Sequence, residues 1–380
     1  MTVKTKAAVL WGANQDWQIE EVELGDPVSS EVQVRLAASG LCHSDEHVRV
    51  GDFPMVEPGA FPFIGGHEGA GIVTKVGTGV TSLSEGDHVV LGFIPSCGRC
   101  PSCATGHQNL CDLGATLLTG QAIADGTNRI QVKGQNASPM CLLGTFSPYV
   151  TVHEASAIKI EDDIPLDKAA LVGCGVTTGW GSSVYAADVR PGETVVIIGV
   201  GGIGANAVQG ARLAGARHIV AIDPVEFKRE LAMEFGATHT YASMAEAIGP
   251  LTELTWGRMA EKAVICVGRI EGQHIAEMLS LVGKGGTGVV TGMGSMTDID
   301  VKLSLFELTL LQKRIQGAIF GSGNPRFDIP NLLRLYTEGQ LKLDELITRT
   351  YKLEEINQGY ADMYAGKNIR GLVMYDESDY

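Results

Sequence analysis

The sequence predicts two kinds of fold in one chain, a β-rich domain followed by an α/β domain built on a parallel sheet. Three observations carry this. The 380 residues with 44% apolar content suffice for about two hydrophobic cores. The first 150 residues hold short apolar or alternating runs that end at Gly and Pro. Near residue 175 the texture changes to an apolar run, a glycine turn and a helical stretch, "ETVVIIGVGGIGANAVQGARLAG", followed by a second apolar run, "HIVAID".

In chain order, "EVQVRLAAS" and "GIVTKVG" read as strands of the first domain. The βαβ unit from Glu193 opens the parallel sheet, and "KAVICVG" and "GTGVVTGMG" add strands, each preceded by a segment long enough for a helical crossover. Together they describe a nucleotide-binding domain. From about residue 322, "NPRFDIPNLLRLYTEGQLKLDELI" has helical periodicity and "NIRGLVMY" closes on a strand; pattern alone leaves open which domain this tail joins.

Several classes are excluded. The net charge of -15 without clustered Lys or Arg argues against a nucleic-acid partner. Thr194–Ala211 lacks charge for eighteen residues, but its five glycines with Asn206 and Gln209 suit a strand running into a helix, not a membrane span. The opening MTVKTKAAVLWGANQDW contains no apolar h-region, so the chain reads as cytoplasmic. Thiols there stay reduced, and stable disulfides are not expected.

"CGRCPSCATGHQNLC" therefore needs another reason to hold four of the eight cysteines. Cys97, Cys100, Cys103 and Cys111 are spaced to let four thiolates converge on one tetrahedral ion from a loop, and four thiolates with no open position describe a structural zinc. An iron–sulfur cluster is the rival, although the usual ferredoxin run has a shorter last gap followed by proline.

Gly199, Gly201 and Gly204 form GxGxxG between a strand and a helix beginning near Ile203, whose N-terminus, with Gly202, can face a pyrophosphate. Asp223 ends the next strand nineteen residues after Gly204, where a carboxylate can bond both ribose hydroxyls. That carboxylate repels a 2′-phosphate, and Pro224 and Val225 follow without an arginine, so NAD is expected over NADP. Lys228, five residues on, is in reach of the adenosine ribose.

An enzyme that binds NAD and carries further Cys and His residues can polarise an alcohol oxygen on an open zinc position. Cys42 in "GLCHSDEH", His67 in "GGHEGAG" and Cys174 in "GCGVTTGW" are candidate ligands. Taken singly, an isolated cysteine is ordinarily a small buried hydrophobe and a histidine between glycines a satisfied structural residue.

These pieces, with "GVGGIG", "AID" and "GAIFGS" in the same order, resemble the zinc-dependent medium-chain alcohol dehydrogenases over essentially the whole chain. The stretch from "DGTNRIQVKGQ" to "LGTFSPY" resembles the extended loop of the classical dimeric branch, and the combination resembles the actinobacterial nicotinoprotein alcohol dehydrogenases, which reoxidise a bound coenzyme with an artificial nitroso acceptor. The resemblance implies a GroES-like catalytic domain over 1–178 with the structural zinc lobe, a Rossmann doubly wound coenzyme domain over 179–321, and a segment 322–380 returning to the catalytic domain. The active site is expected in the cleft between domains.

The resemblance also assigns roles. Cys42, His67 and Cys174 match catalytic zinc ligands, Glu68 a carboxylate that approaches the ion during ligand exchange, and Asp45 the partner that fixes the His67 tautomer. Ser44 and His47, one helical turn apart, match a relay that carries the alcohol proton to solvent through the coenzyme ribose. Thr178 and Ile203 match positions flanking the nicotinamide, and Arg370 a pyrophosphate contact; Phe93 and Ile319 would line an apolar substrate pocket. His43 stands where several relatives hold pyrophosphate with arginine. Ala115, four residues after Cys111, replaces the arginine of the glutathione-dependent formaldehyde dehydrogenases, and the segment Val48–Gly65 is longer than in the animal enzymes.

The expected activity is oxidation of primary alcohols to aldehydes with NAD, which can be tightly bound, using one catalytic and one structural Zn2+ per chain. The partners expected are a small alcohol or aldehyde and further copies of the chain, as a dimer or tetramer. The alternatives are oxidation of a formaldehyde adduct of another low-molecular-weight thiol, or a catalytically idle subunit that binds zinc and NAD.

Overall fold

In the computed structural model, residues 2–53 and 61–380 are described. The longer segment Val48–Gly65 thus lies partly outside the described residues. The chain divides into two units, Met1–Cys174 with Asn324–Tyr380, and Gly175–Gly323. Residues 175–178 pack with the second unit and 322–323 do too, which moves the sequence boundaries by a few residues.

The first unit is β-rich. Strands Thr2–Leu10, Gln18–Gly25, Ile130–Val132, Gln135–Pro139 and Phe63–Ile64 close into a barrel, and Ala7, Val9, Val22, Leu24, Ile64 and Val132 fill it. Its second sheet runs Ala157–Lys159, His88–Leu91, Gly69–Val76, Glu31–Gly40, Arg370–Met374, Ile347–Tyr351, with Tyr149–His153 also paired to Glu31–Gly40. The tail therefore supplies two strands to this sheet.

Glu31–Gly40 is the pivot of the sheet. It pairs antiparallel with Gly69–Val76, Tyr149–His153 and Arg370–Met374, and Val32, Val34 and Leu36 on it are fully buried. Its end therefore faces the start of Gly69–Val76, which brings the residues after Gly40 close to those before Gly69.

The second unit is a six-stranded, all-parallel sheet in the order His239–Tyr241, His218–Ile222, Thr194–Ile198, Ala260–Ile265, Val282–Val290, Arg314–Gly317. In sequence order this is 3-2-1-4-5-6, the doubly wound arrangement that binds dinucleotides where the order reverses. Thr194–Ile198 sits at that reversal and is buried throughout, which accounts for its unbroken apolar run. Two strands exceed the sequence expectation, the short polar His239–Tyr241 and the exposed edge Arg314–Gly317.

Candidate active site and metal centres

In the first unit, the loop after the second sheet's strand His88–Leu91 brings the four clustered cysteines together. The Sγ atoms of Cys97, Cys100, Cys103 and Cys111 all lie within 4.8 Å of one another, with Cys97 to Cys103 and Cys100 to Cys111 both at 3.9 Å. Four thiolates about 2.3 Å from a tetrahedral zinc would stand about 3.8 Å apart, so the donor set fits that ion.

Backbone amides complete the fit. Cys97 Sγ accepts N–H bonds from Arg99 and Cys100, Cys100 Sγ from Cys103 and Asp112, and Cys111 Sγ from Cys97, at 3.3–3.5 Å. Burial pushes the Cys97 thiol up, but the Arg99 and Cys100 amides outweigh it and hold it down to about 6. Burial drives Cys111 to about 12. A set that cannot hold four negative sulfurs alone suits a cation that neutralises them.

The second cluster draws on residues far apart in sequence. Cys42 is the N-cap of helix His43–Arg49, just beyond Glu31–Gly40; His67 and Glu68 immediately precede Gly69–Val76; Cys174 follows the turn Leu171–Gly173. One ligand atom from each lies within 4.8 Å of the others, and all four residues are buried.

Cys42 is held well below the ordinary thiol range by a hydrogen bond from Cys174, with the His67 and Arg370 charges adding, and Cys174 is raised in return. His67 Nδ1 and Asp45 Oδ2 are 3.0 Å apart, off the line of a good hydrogen bond, and the other Asp45 oxygen accepts from Gly66 N–H at 2.7 Å. Burial disfavours a charged His67, but Asp45 and Cys42 outweigh it and raise its pKa well above the usual value. With Nδ1 turned to Asp45, Nε2 is the nitrogen left for a metal. Two thiols, one imidazole and one carboxylate, all dry, are a zinc donor set.

Glu68 pairs with Arg370, whose Nη2 also donates to Leu41 O at 3.2 Å. A Cβ on Gly40 would fall 2.1 Å from Glu68 Oε2, so the glycine makes room for this pair. Burial raises the Glu68 pKa while Arg370 opposes it. Arg370 is thus engaged by Glu68, and its Nε has no partner among the described residues, a donor still available to an anion.

Ser44 and His47 both lie on helix His43–Arg49, and Ser44 Oγ is 3.6 Å from Cys42 Sγ. His43 is exposed at the helix start. Phe93 meets the edge of the His67 ring, centroids 5.6 Å apart. Asp52, which sequence reasoning missed, is 2.9 Å from His47 Nδ1. Its only sequence signal is the Gly-Asp pair just beyond a short helix.

In the second unit the three glycines do three jobs. Gly199 turns at φ +85; a Cβ on Gly201 would meet nothing within 4 Å; one on Gly204 would strike Gly199 O at 1.8 Å. This gives a tight turn, an open cradle and close helix–strand contact, as a bound pyrophosphate requires. Gly202 opens the helix Gly202–Leu213, and Ile203 is half-buried on its first turn.

Asp223 Oδ2 accepts from Val200 N–H at 2.8 Å and Oδ1 from Val225 N–H at 2.9 Å, which ties the end of His218–Ile222 to the glycine loop. Arg229 Nη1 braces the same turn through the Asp223 and Pro224 carbonyls. Lys228 is half-buried beside it on helix Glu226–Phe235. Thr178 Oγ1 is buried without a partner among the described residues, as a position reserved for a polar ligand would be. Ile319 is 45% exposed. No helix of the described residues is long and apolar enough to cross a membrane.

Comparison with known proteins agrees with both folds. Residues 28–162 match the alcohol dehydrogenase GroES-like domain and residues 202–338 the zinc-binding dehydrogenase domain. The chain is 55% identical over 377 residues to alcohol dehydrogenase B of Mycobacterium tuberculosis, covering 99% of this chain and 100% of that protein. It is 51% identical over 373 residues to the NDMA-dependent alcohol dehydrogenase of Amycolatopsis methanolica, covering 98% and 99%. A crystal structure of an alcohol dehydrogenase zinc-binding domain protein from Burkholderia ambifaria superposes with a TM-score of 0.91 at 33% identity, covering 99% of this chain and 100% of that one. With whole-length identity above half and both domain types matched, the chain belongs to the zinc-binding alcohol dehydrogenase family of medium-chain dehydrogenases.

Proposed function

We propose that the chain oxidises primary alcohols to aldehydes, passing hydride to NAD held by the second unit. The convergence of Cys42, His67, Glu68 and Cys174 into one buried donor set carries this reading. Zinc held there would polarise the alcohol oxygen and lower its pKa, the chemistry that lets the carbon release hydride.

The chain's own residues do the rest. Cys42, Cys174 and His67 Nε2 are the ligands, and Asp45 orients His67. Glu68, held back by Arg370, is the carboxylate placed to replace a departing ligand. Ser44 would accept the alcohol proton, and His47 would carry it on toward solvent. The second unit would hold a coenzyme on Gly199, Gly201, Gly202, Ile203 and Gly204, with Asp223 and Lys228 toward the adenosine ribose and Thr178 toward the nicotinamide. Cys97, Cys100, Cys103 and Cys111 hold a second, structural zinc.

The likeness to an NDMA-dependent enzyme favours a coenzyme that stays bound between turnovers. Pairing of the exposed edge Arg314–Gly317, beside the exposed Ile299, Leu305, Phe306 and Leu310, would make the chain a homo-oligomer.

The test is to denature purified protein, measure released zinc and NAD(H), and assay benzyl alcohol and ethanol with free NAD and with NDMA. Near-stoichiometric nucleotide, two zinc ions and turnover with NDMA alone are expected. Full alcohol oxidation by protein that contains no zinc would overturn the reading.

A further inference from the structure

The helix His43–Arg49 ends in a defined way. Val50 N–H bonds Glu46 O, Gly51 N–H bonds Val48 O and Asp52 N–H bonds His47 O, at 2.9, 3.2 and 2.9 Å, with Gly51 at φ +76. The first is the last helical bond, and the other two, around a left-handed glycine, make a Schellman motif, which folds the residue after the glycine back onto the third residue from the helix end.

That contact ordinarily joins two apolar side chains. Here it joins Asp52 to His47, with Oδ2 2.9 Å from Nδ1 and side chains only 10% and 6% exposed. Phe53, the next residue, lies against the His47 ring at 5.2 Å between centroids and 32° between planes. A carboxylate at one ring nitrogen and an aromatic ring against the face fix the rotation of the imidazole and its tautomer together.

We propose that Asp52 is a positioning residue for His47, keeping the proton on Nδ1 so that Nε2 presents its lone pair to the proton arriving through Ser44. This rests on the relay reading above. In the step, the O–H bond of the relay hydroxyl that reaches His47 breaks as the Nε2–H bond forms, that hydroxyl is reprotonated through Ser44, and Ser44 by the alcohol. The imidazolium then gives its Nε2 proton to water. Asp52 stays a carboxylate throughout, and its charge stabilises the ring while it is positive.

The motif is made by the backbone, so Asp52→Asn should fold. The experiment compares single-turnover benzyl alcohol oxidation by zinc- and coenzyme-loaded wild type, D52N, H47Q and the double variant. Zinc content and melting temperature are measured alongside, with 15N spectra of histidine-labelled protein in which the His47 signals are identified by their loss in H47Q. H47Q should slow the step about a hundredfold and D52N about tenfold, with KM unchanged. The double variant should be no slower than H47Q, and the Nδ1–H tautomer signature of His47 should be lost in D52N.

Equal slowing by D52N in the wild-type and H47Q backgrounds would overturn the proposal while leaving the relay intact. So would an unchanged rate and tautomer in D52N. An unchanged rate in H47Q would overturn the relay and the proposal with it.

Discussion

The two clusters of the first unit that could hold a metal ion differ in how the chain assembles them. Cys97, Cys100, Cys103 and Cys111 come from fifteen consecutive residues, and backbone amides satisfy their sulfurs. Cys42, His67, Glu68 and Cys174 are delivered by separate elements, and charged side chains, Asp45 and Arg370, stand behind them. Amides are fixed and permit little change at the metal. Charged side chains can respond when a ligand enters or leaves, which is what a reactive centre needs.

The largest effects should separate these two clusters. Cys174→Ser should abolish alcohol oxidation by several orders of magnitude. Cys100→Ala should lose the other zinc and unfold the lobe first, lowering the melting temperature before the chemical step per folded molecule changes. Zinc counting with thermal unfolding and single-turnover rates checks both, and a Cys100→Ala protein of unaltered stability would remove the distinction.

A second contrast lies within the glycine loop. Gly204→Ala drives a Cβ into Gly199 O and should cost more than about 2 kcal/mol of stability. Gly201→Ala meets nothing in the protein, so the nucleotide-free melting temperature should hold while affinity for NAD falls about tenfold. Calorimetry with and without NAD reads both, and equal destabilisation by the two would mean that Gly201 serves packing, not the coenzyme.

The smallest effect is one of pH. The Cys97 thiol is held down to about 6 in the folded lobe, below its ordinary range. Its thiolate therefore favours the folded, metal-holding state above the unfolded pKa, and that contribution is lost as pH falls through about 6. Zinc release followed with a chromogenic chelator should begin on acidification, not on alkalisation between pH 7 and 9.

Much of this was legible in the sequence where chemistry depends on local spacing. The four cysteines and the three glycines each lie within one loop, so spacing alone marked them as candidates. The buried strand Thr194–Ile198 announced itself as an unbroken apolar run. Strands His239–Tyr241 and Arg314–Gly317 did not, because three-residue and edge strands carry no apolar pattern. Cys42, His67 and Cys174 were ambiguous singly, since the sheet, not the local sequence, brings them together. Asp52 was missed because its role depends on the left-handed turn at Gly51 that folds it back onto His47.

The most direct measurement of the division of labour is metal analysis of Cys174→Ser alongside its turnover of benzyl alcohol. The account predicts a folded protein with about one zinc fewer than wild type, melting within a few degrees of it, and no detectable alcohol oxidation. A variant that keeps its full zinc content and its activity would contradict it.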